Sequence, residues 1–343
     1  MENLLLSICI PTYNRADYLD ILLNSIPDDY TDKIEICISN NASTDHTDRI
    51  IKKNSDKFKY FRYKKQPEFC TFDHNLLESV FLATGEYCWT IGSDDSLLPD
   101  ALNRVFEILE KKKPGILIAP ILLRDINHRW EKRWFYLPRS IDHYTFKFRE
   151  VKKLAEYFNL SLRLNAIGGF ISSNIIKRQL WKNATIDIGF ALGYAHIDKV
   201  LCIISREKSR DEQFLFINEN FIAATAGNDD TSHGLTSNKY RMFLDFNAIT
   251  NLAKKYFKDP ELQEALIHIL RRQHPFTWLY RSMIVPECNK EELELLKLIF
   301  PPWWLYFMRH FCYKQNGFIH RKLKNIKRYY SNASRFFLAF YFF

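Results

Sequence analysis

The first 120 residues alternate short strand-like runs with helical stripes. Leu4-Leu5-Leu6-Ser7-Ile8-Cys9-Ile10 is an apolar run closed by Pro11, the pattern of a buried strand. Ile34-Glu35-Ile36-Cys37-Ile38, Tyr60-Phe61-Arg62-Tyr63, Tyr87-Cys88-Trp89-Thr90-Ile91 and residues 115–120 predict four more strands. Between them, apolar residues recur at helical spacing. These are Tyr18, Leu19, Leu22, Leu23 and Ile26, with Asn14 as N-cap, then Ile50 and Ile51, then Leu76, Leu77, Val80 and Phe81. Leu102, Val105, Phe106 and Leu109 follow, with Pro99 in a first turn. The alternation predicts parallel βαβ units in an open α/β sheet. Such sheets bind ligands beyond the carboxyl ends of their strands, and polar clusters follow Ile10, Ile38 and Ile91 there.

Near residue 120 the alternation stops. Residues 124–150 mix charges with Trp130, Trp134, Phe135 and Tyr136 and read as an inserted loop or lid. Strands are predicted within 166–176 and 214–224, with a helix over roughly 193–205 between them. After Gly227-Asn228-Asp229-Asp230 the pattern turns helical to near residue 300.

Composition is that of a folded chain. Of 343 residues, 47% are apolar and 26% charged, with 10 Gly and 12 Pro, which excludes disorder and collagen-like sequence. Charge is segregated: no Asp or Glu follows Glu294, while nine Lys and Arg do, so the whole net +9 lies in the tail. From Pro301-Pro302-Trp303-Trp304 to the aromatic terminus at Phe343, the tail interleaves these cations with rings. That composition suits an interfacial segment on an anionic membrane. A helical annex packing its aromatics, or a nucleic-acid surface, would use the same residues. Seven scattered Cys without a CxxC pair argue against a disulfide framework or zinc cage and suit a reducing compartment. No basic leader precedes the first apolar run, and no uncharged apolar stretch approaches the ~20 residues of a spanning helix. The prediction is a cytoplasmic protein, peripheral on the inner face of the cytoplasmic membrane.

Three clusters carry candidate chemistry. Ser93-Asp94-Asp95 places adjacent carboxylates at a strand end, which is costly unless they are solvated or neutralised. A divalent ion sharing phosphate oxygens would neutralise them, and an acidic helix cap would explain them equally. Pro11-Thr12-Tyr13-Asn14-Arg15 offers an aromatic, hydroxyls and a guanidinium for a base, ribose and phosphate, or is a plain capped turn. Asn40-Asn41-Ala42-Ser43-Thr44-Asp45 offers amides and hydroxyls, or again a cap. Neither GxGxxG, a Walker-type glycine loop, nor a GxSxG elbow occurs.

Together Ile8 to Arg15, Ile38 to Asp45, Gly85-Glu86-Tyr87 and Gly92-Ser93-Asp94-Asp95 resemble family 2 glycosyltransferases of the GT-A fold, over roughly residues 4–110. Asp73-His74-Asn75, Ala166-Ile167-Gly168-Gly169, Gly227-Asn228-Asp229 and Arg271-Arg272-Gln273-His274-Pro275 are similar to bacterial O-antigen sugar transferases of the abequosyltransferase type. The resemblance implies a Rossmann-like, nucleotide-sugar-binding α/β fold, a mixed sheet flanked by helices with a C-terminal helical annex. The implied domains are 1–235, with a nucleotide-sugar-binding half over 1–110 and an acceptor-side half over 111–235, and an annex with its basic aromatic tail over 236–343.

The resemblance also implies roles. Pro11, Thr12, Tyr13, Arg15, Asn40, Asp73, Asn75, Ser93 and Asp94 would contact the nucleotide, and Asp95, then Asp94, would hold Mn²⁺ or Mg²⁺. Two departures stand out: Asn40 occupies a usual Asp position, and Ser93 replaces the first Asp of the DxD pattern. The family's base lies in a segment matching 193–201, where Asp198 and His196 compete, and neither reading excludes a third group. Asp229 and His233 would lie in a loop closing over the diphosphate, or in a plain polar loop. The implied function is sugar transfer, with inversion, from a nucleotide sugar to a lipid-linked oligosaccharide in O-antigen or surface polysaccharide synthesis. Rivals are transfer to capsule or lipooligosaccharide core, and a non-catalytic protein binding sugar nucleotide or RNA. Nucleic acid is not the expected partner.

Overall fold

A computed structural model describes residues 4–125, 127, 129–191, 193–226 and 238–273. Its strands are β1 (Leu6–Thr12), β2 (Ile34–Asn40), β3 (Tyr60–Lys65), β4 (Tyr87–Thr90), β5 (Asp95–Leu97), β6 (Ile116–Ile118), β7 (Leu122–Asp125), β8 (Glu131–Arg133), β9 (His143–Lys147), β10 (Asn174–Lys177), β11 (Gln213–Ile217) and β12 (Ile222–Ala226). Its α-helices are α1 (Ala16–Asn24), α2 (Thr47–Ser55), α3 (Phe72–Phe81), α4 (Ala101–Lys112), α5 (Val151–Leu160), α6 (Arg178–Asn183), α7 (Ala195–Ser205), α8 (Asn238–Tyr256) and α9 (Pro260–Gln273).

Pro11 does not end the first strand. The Leu5 and Cys9 carbonyls of the β1 segment accept the Tyr87 and Ile91 N–H groups, each at 2.9 Å, so odd-numbered residues face β4. Pro11 faces the same way, beyond the last β4 residue, and its missing N–H breaks no ladder bond. The strand therefore continues to Thr12, whose carbonyl accepts the Asn41 N–H at 2.9 Å.

Eight strands form one sheet in the order β3-β2-β1-β4-β10-β6-β11-β9. The β1 to β4 strands of this sheet are parallel, β10 runs antiparallel between β4 and β6, and β9 closes the edge antiparallel to β11. This is the mixed α/β sheet that the resemblance implies. Every residue of β1 and β2 is buried, because the sheet is covered on both faces, and α3 packs on both strands. A second sheet of four strands, in the order β5-β12-β7-β8, begins at Asp95.

Three sequence expectations change. Residues 124–150 are not one loop: β7 and β8 make a hairpin on β12, and β9 pairs with β11. Their half-exposed, charge-rich strands hide the two-residue period. The 166–176 strand shrinks to Asn174–Lys177, preceded by the 3₁₀ turns Leu164–Ile167 and Ile171–Ser173. The 214–224 strand is two strands in different sheets, split at a corner where Asn220 Nδ2 donates to the Pro120 carbonyl at 2.9 Å.

The chain divides into two units, residues 1–231 with 248–269 and residues 232–247 with 270–343. In the second, Phe246 is buried and Gln273 Nε2 donates to Asp245 Oδ2 at 3.4 Å. No helix among the described residues is long and apolar enough to cross a membrane. The tail from residue 274 lies outside the described residues.

Candidate active site

The turns after β1 and β2 are bonded to each other rather than capped separately. Asn14 adopts a left-handed φ of 48°, donates its N–H to Ser43 Oγ at 2.9 Å and accepts the Thr44 N–H on Oδ1 at 2.8 Å. It is not the α1 N-cap. Arg15 holds that position, and Asp45 Oδ2 takes the Ala16 N–H at 3.1 Å from across the gap. The two polar clusters thus form one rigid rim at the carboxyl ends of β1 and β2.

Arg15 reaches from this rim to Asp94, with 2.5 Å between Nη1 and Oδ2, and both side chains are partly exposed at 16% and 27%. Asp95 is buried beside them. Burial, then the Asp94 charge, pushes its carboxyl well above the usual carboxylate range, against hydrogen bonds from Ser172 Oγ and the Thr225 backbone. Gly92 leaves the space between them. A Cβ there would stand 2.9 Å from Asp94 Oδ1 and 3.2 Å from Asp95 Oδ2. Two carboxylates facing a side-chain-free hollow fit a hard cation that keeps water and takes phosphate oxygens. They do not build a dedicated cage: no cluster of three His, Cys, Asp or Glu occurs among the described residues. Ser93 is buried.

The other nucleotide candidates divide into two groups. Tyr13 faces the rim, its ring 4.8 Å from that of Phe69, which is 58% exposed. Thr12 Oγ1, at the strand end beside Pro11, is buried without a hydrogen-bond partner among the described residues. These side chains have bonding or stacking capacity to spare. Asn40, Asp73 and Asn75 already bond within the fold. Asn40 Nδ2 donates to Asp48 Oδ1 and Tyr63 Oη, each at 3.0 Å, and its Oδ1 accepts the Ser43 N–H at 2.9 Å. Asn75 accepts Ser39 Oγ at 2.7 Å and donates to the Thr12 carbonyl at 3.4 Å. Asp73 accepts the Gly193 and Ala195 N–H groups at 2.5 and 3.1 Å, at the start of α7.

His196 and Asp198 share the first turn of α7, both buried. The His196 ring meets the Phe72 ring edge-on at 6.3 Å. Both Asp198 oxygens accept from Lys255 Nζ at 3.1 Å, and Tyr256 donates to Oδ1 as well. Burial, then that bond to Asp198, pushes the Tyr256 phenol far above its ordinary value. Asp229 and His233 lie outside the described residues.

Sequence reasoning missed Ser172, which donates to Asp95 and accepts the Gly92 N–H at 2.8 Å, and Phe69. Ser172 stands 77 residues from Asp95 and carries no local signal. A phenylalanine beside the polar Gln66-Pro67-Glu68 stretch was the available sign of Phe69.

The profile of glycosyl transferase family 2 matches residues 7–179. The chain is 30% identical over 295 residues to abequosyltransferase RfbV of Salmonella typhimurium, covering 82% of this chain and 83% of that one. It is 31% identical over 108 residues to the GalNAc(5)-diNAcBac-PP-undecaprenol beta-1,3-glucosyltransferase of Campylobacter jejuni, covering 30% of this chain and 33% of that one. The crystal structure of Staphylococcus aureus TarS 1-349 in complex with UDP-GlcNAc is similar with a TM-score of 0.60 and 13% identity, over 94% of this chain and 92% of that one. At that identity the likeness shows the fold, the GT-A architecture implied by the sequence.

Proposed function

This chain belongs to glycosyl transferase family 2 and is a glycosyltransferase, and from that premise we propose that it moves a sugar from a nucleotide sugar to a hydroxyl of a lipid-linked glycan in O-antigen-type synthesis. The observation carrying this reading is the pair Asp94 and Asp95 around the Gly92 hollow, with Arg15 alongside.

Tyr13 and Phe69 supply ring faces for the base, and the Thr12 hydroxyl supplies a free hydrogen-bonding group at the strand end. Arg15 is placed to turn from Asp94 to a phosphate oxygen. Asp95 and Asp94 are the groups that would hold Mn²⁺ or Mg²⁺. Such an ion, when bound, stabilises charge on a leaving diphosphate as a Lewis acid. Asn40, Asp73 and Asn75 are positioning residues here: they fix the rim and α7.

His196 is the group we assign to take the acceptor proton. Its imidazole can accept a proton, and it sits in the α7 turn held by Asp73. Asp198 already neutralises Lys255 and acts as an anchor for that turn. Direct attack of the acceptor oxygen on the far face of the sugar gives inversion. Cytoplasmic location on the inner membrane face rests on the cationic aromatic tail of the sequence.

The test is a thermal-shift panel of UDP, GDP, CDP and dTDP, each with and without Mn²⁺ or Mg²⁺, on the wild type and Asp95→Asn. One nucleotide raising Tm only with metal, and only in the wild type, is expected. A panel without any metal-dependent shift would remove the metal from the reading.

A further inference from the structure

Three oxygens face the side of Gly92 where a Cβ would stand: Asp94 Oδ1 at 2.9 Å, Asp95 Oδ2 at 3.2 Å and Ser172 Oγ at 3.6 Å. The third belongs to none of the polar clusters that the sequence marks at the strand ends. It arrives on the 3₁₀ turn Ile171–Ser173, which leads into β10. That turn is fastened to the end of β4. The Trp89 indole donates to the Ser172 carbonyl at 2.9 Å, Thr90 Oγ1 donates to the Ile171 carbonyl at 2.6 Å, and the Gly92 N–H donates to Ser172 Oγ at 2.8 Å. Ser173 Oγ is bonded in turn to the Tyr136 hydroxyl at 2.6 Å. Trp89, Thr90, Ser172, Ser173 and Tyr136 are all buried.

A hydroxyl has one proton to give, and an ionised carboxylate only accepts. Gly92 donates into Ser172 Oγ, so the Ser172 proton goes to Asp95 Oδ2, the same oxygen that faces the hollow. The two carboxylates are therefore held in different ways. Asp94 is 27% exposed and pairs with Arg15, a long side chain that is itself partly exposed. Asp95 is buried, and its oxygen at the hollow is tied to a hydroxyl whose backbone is bonded to β4. A ligand oxygen that is already in place spares the cation the cost of ordering it, and the partner that orients a ligand tunes affinity nearly as the ligand does.

We propose that Ser172 is a positioning residue for sugar transfer: its hydroxyl aims Asp95 Oδ2 into the Gly92 hollow, giving the cation one carboxylate fixed in advance while Asp94 adjusts. This rests on the metal-assisted reading above and adds to it a residue 77 positions away in the chain. A bond that merely fastened the turn would act as the Thr90 bond does, and that difference is measurable.

Mn²⁺ alone is titrated into the full chain, with bound ion read from the loss of the free-ion EPR signal, and Asp95→Asn marks the share that belongs to this site. Ser172→Ala is expected to weaken the Asp95-dependent binding at least about tenfold, the usual effect of removing a partner that orients a metal ligand. Ser172→Cys fills the same place with a weak donor whose sulfur is a poor match for Mn²⁺, so it should lose affinity likewise and decides the matter if the alanine variant does not fold. Thr90→Val removes the other hydroxyl bond to the turn. Its urea midpoint should fall as that of Ser172→Ala does, with Mn²⁺ affinity kept within about threefold. Wild-type affinity in any folded Ser172 variant overturns the proposal and leaves the metal reading standing. An equal loss in Thr90→Val also overturns it, since the stability of the turn would then be enough. A wild type that binds Mn²⁺ no better than Asp95→Asn overturns the metal reading and this proposal together.

Discussion

Asp73 in the first turn of α3 caps α7, 122 residues away: its Oδ1 accepts the Ala195 N–H at 3.1 Å while Oδ2 takes that of Gly193. Burial pushes the Asp73 carboxyl up, and the two N–H bonds oppose this. Removing the carboxylate orphans two backbone donors beside His196. Asp73→Ala is expected to cost about 1–2 kcal/mol, the worth of a helix cap, in urea unfolding. Turnover should fall more than donor affinity, because α7 and not the nucleotide rim loses its anchor. A variant with raised donor KM and unchanged kcat would return Asp73 to the nucleotide.

Asn40 replaces the usual carboxylate for a reason visible in its neighbours. Its amide donates to Asp48, which also takes the Lys65 ammonium at 2.6 Å. An aspartate there would lose both donor bonds and face a like charge. Asn40→Asp is therefore expected to destabilise by about 2 kcal/mol, and Asn40→Asp/Asp48→Asn to recover most of that loss. Additive losses in the pair would break this account.

Much of this site was legible in the sequence because β1, β2 and β4 are buried on both faces and write themselves as apolar runs. The turns that close them were legible too, since Asn14, Asn40 and Asp95 belong to polar clusters at strand ends. What a polar residue faces was not. Asn40, Asn75 and Asp73 have the composition of ligand contacts, yet their partners are Asp48, Ser39 and the α7 backbone. The second sheet escaped because β5 and β8 have three residues each and β8 is Glu131-Lys132-Arg133, too short and too charged for a period to show.

Gly92 offers a probe of the hollow. The nearest atoms to an added Cβ are the carboxylate oxygens of Asp94, which is partly exposed, and of Asp95, which is buried and held by Ser172. Gly92→Ala should thus cost about 1–2 kcal/mol as it displaces both oxygens. Transfer activity and any metal-induced rise in Tm are expected to fall together, by at least about tenfold in kcat/KM. Full activity at unchanged metal affinity would show that the hollow is not used.

Glu35 ties β1, β2 and the Thr84 turn. Its carboxylate accepts Ser7 Oγ at 2.6 Å, the Thr84 N–H at 2.7 Å and Arg62 Nε at 2.5 Å. Burial pushes its pKa up, but these bonds outweigh it and hold the group below its ordinary 4.5. The unfolded chain therefore binds the extra proton. Glu35 contributes its full stabilisation above pH 4.5 and loses it as pH falls through the lower folded value. The urea midpoint should drop on acidification below about pH 4.5, and Glu35→Gln should flatten that limb. An identical acid limb in both proteins would assign the effect elsewhere.

His196 and Asp198 make opposite predictions. A base at His196 gives His196→Asn a loss of about 10²–10⁴-fold in kcat/KM and removes the acid limb of the pH–rate profile, with donor binding kept. Asp198 as anchor predicts a stability effect instead. Lys255→Met strands a buried carboxylate and should cost about 2 kcal/mol, the low side for a buried pair because Lys255 is 26% exposed. Asp198→Asn keeps the Tyr256 bond as an acceptor and removes the charge, so it should cost less than Lys255→Met and leave the pH profile in shape. If folded Asp198→Asn loses turnover as deeply as His196→Asn and loses the acid limb with it, the proton goes to the carboxylate. Lys255 would then be the cation that orients that carboxylate, and α8 would join the catalytic machinery.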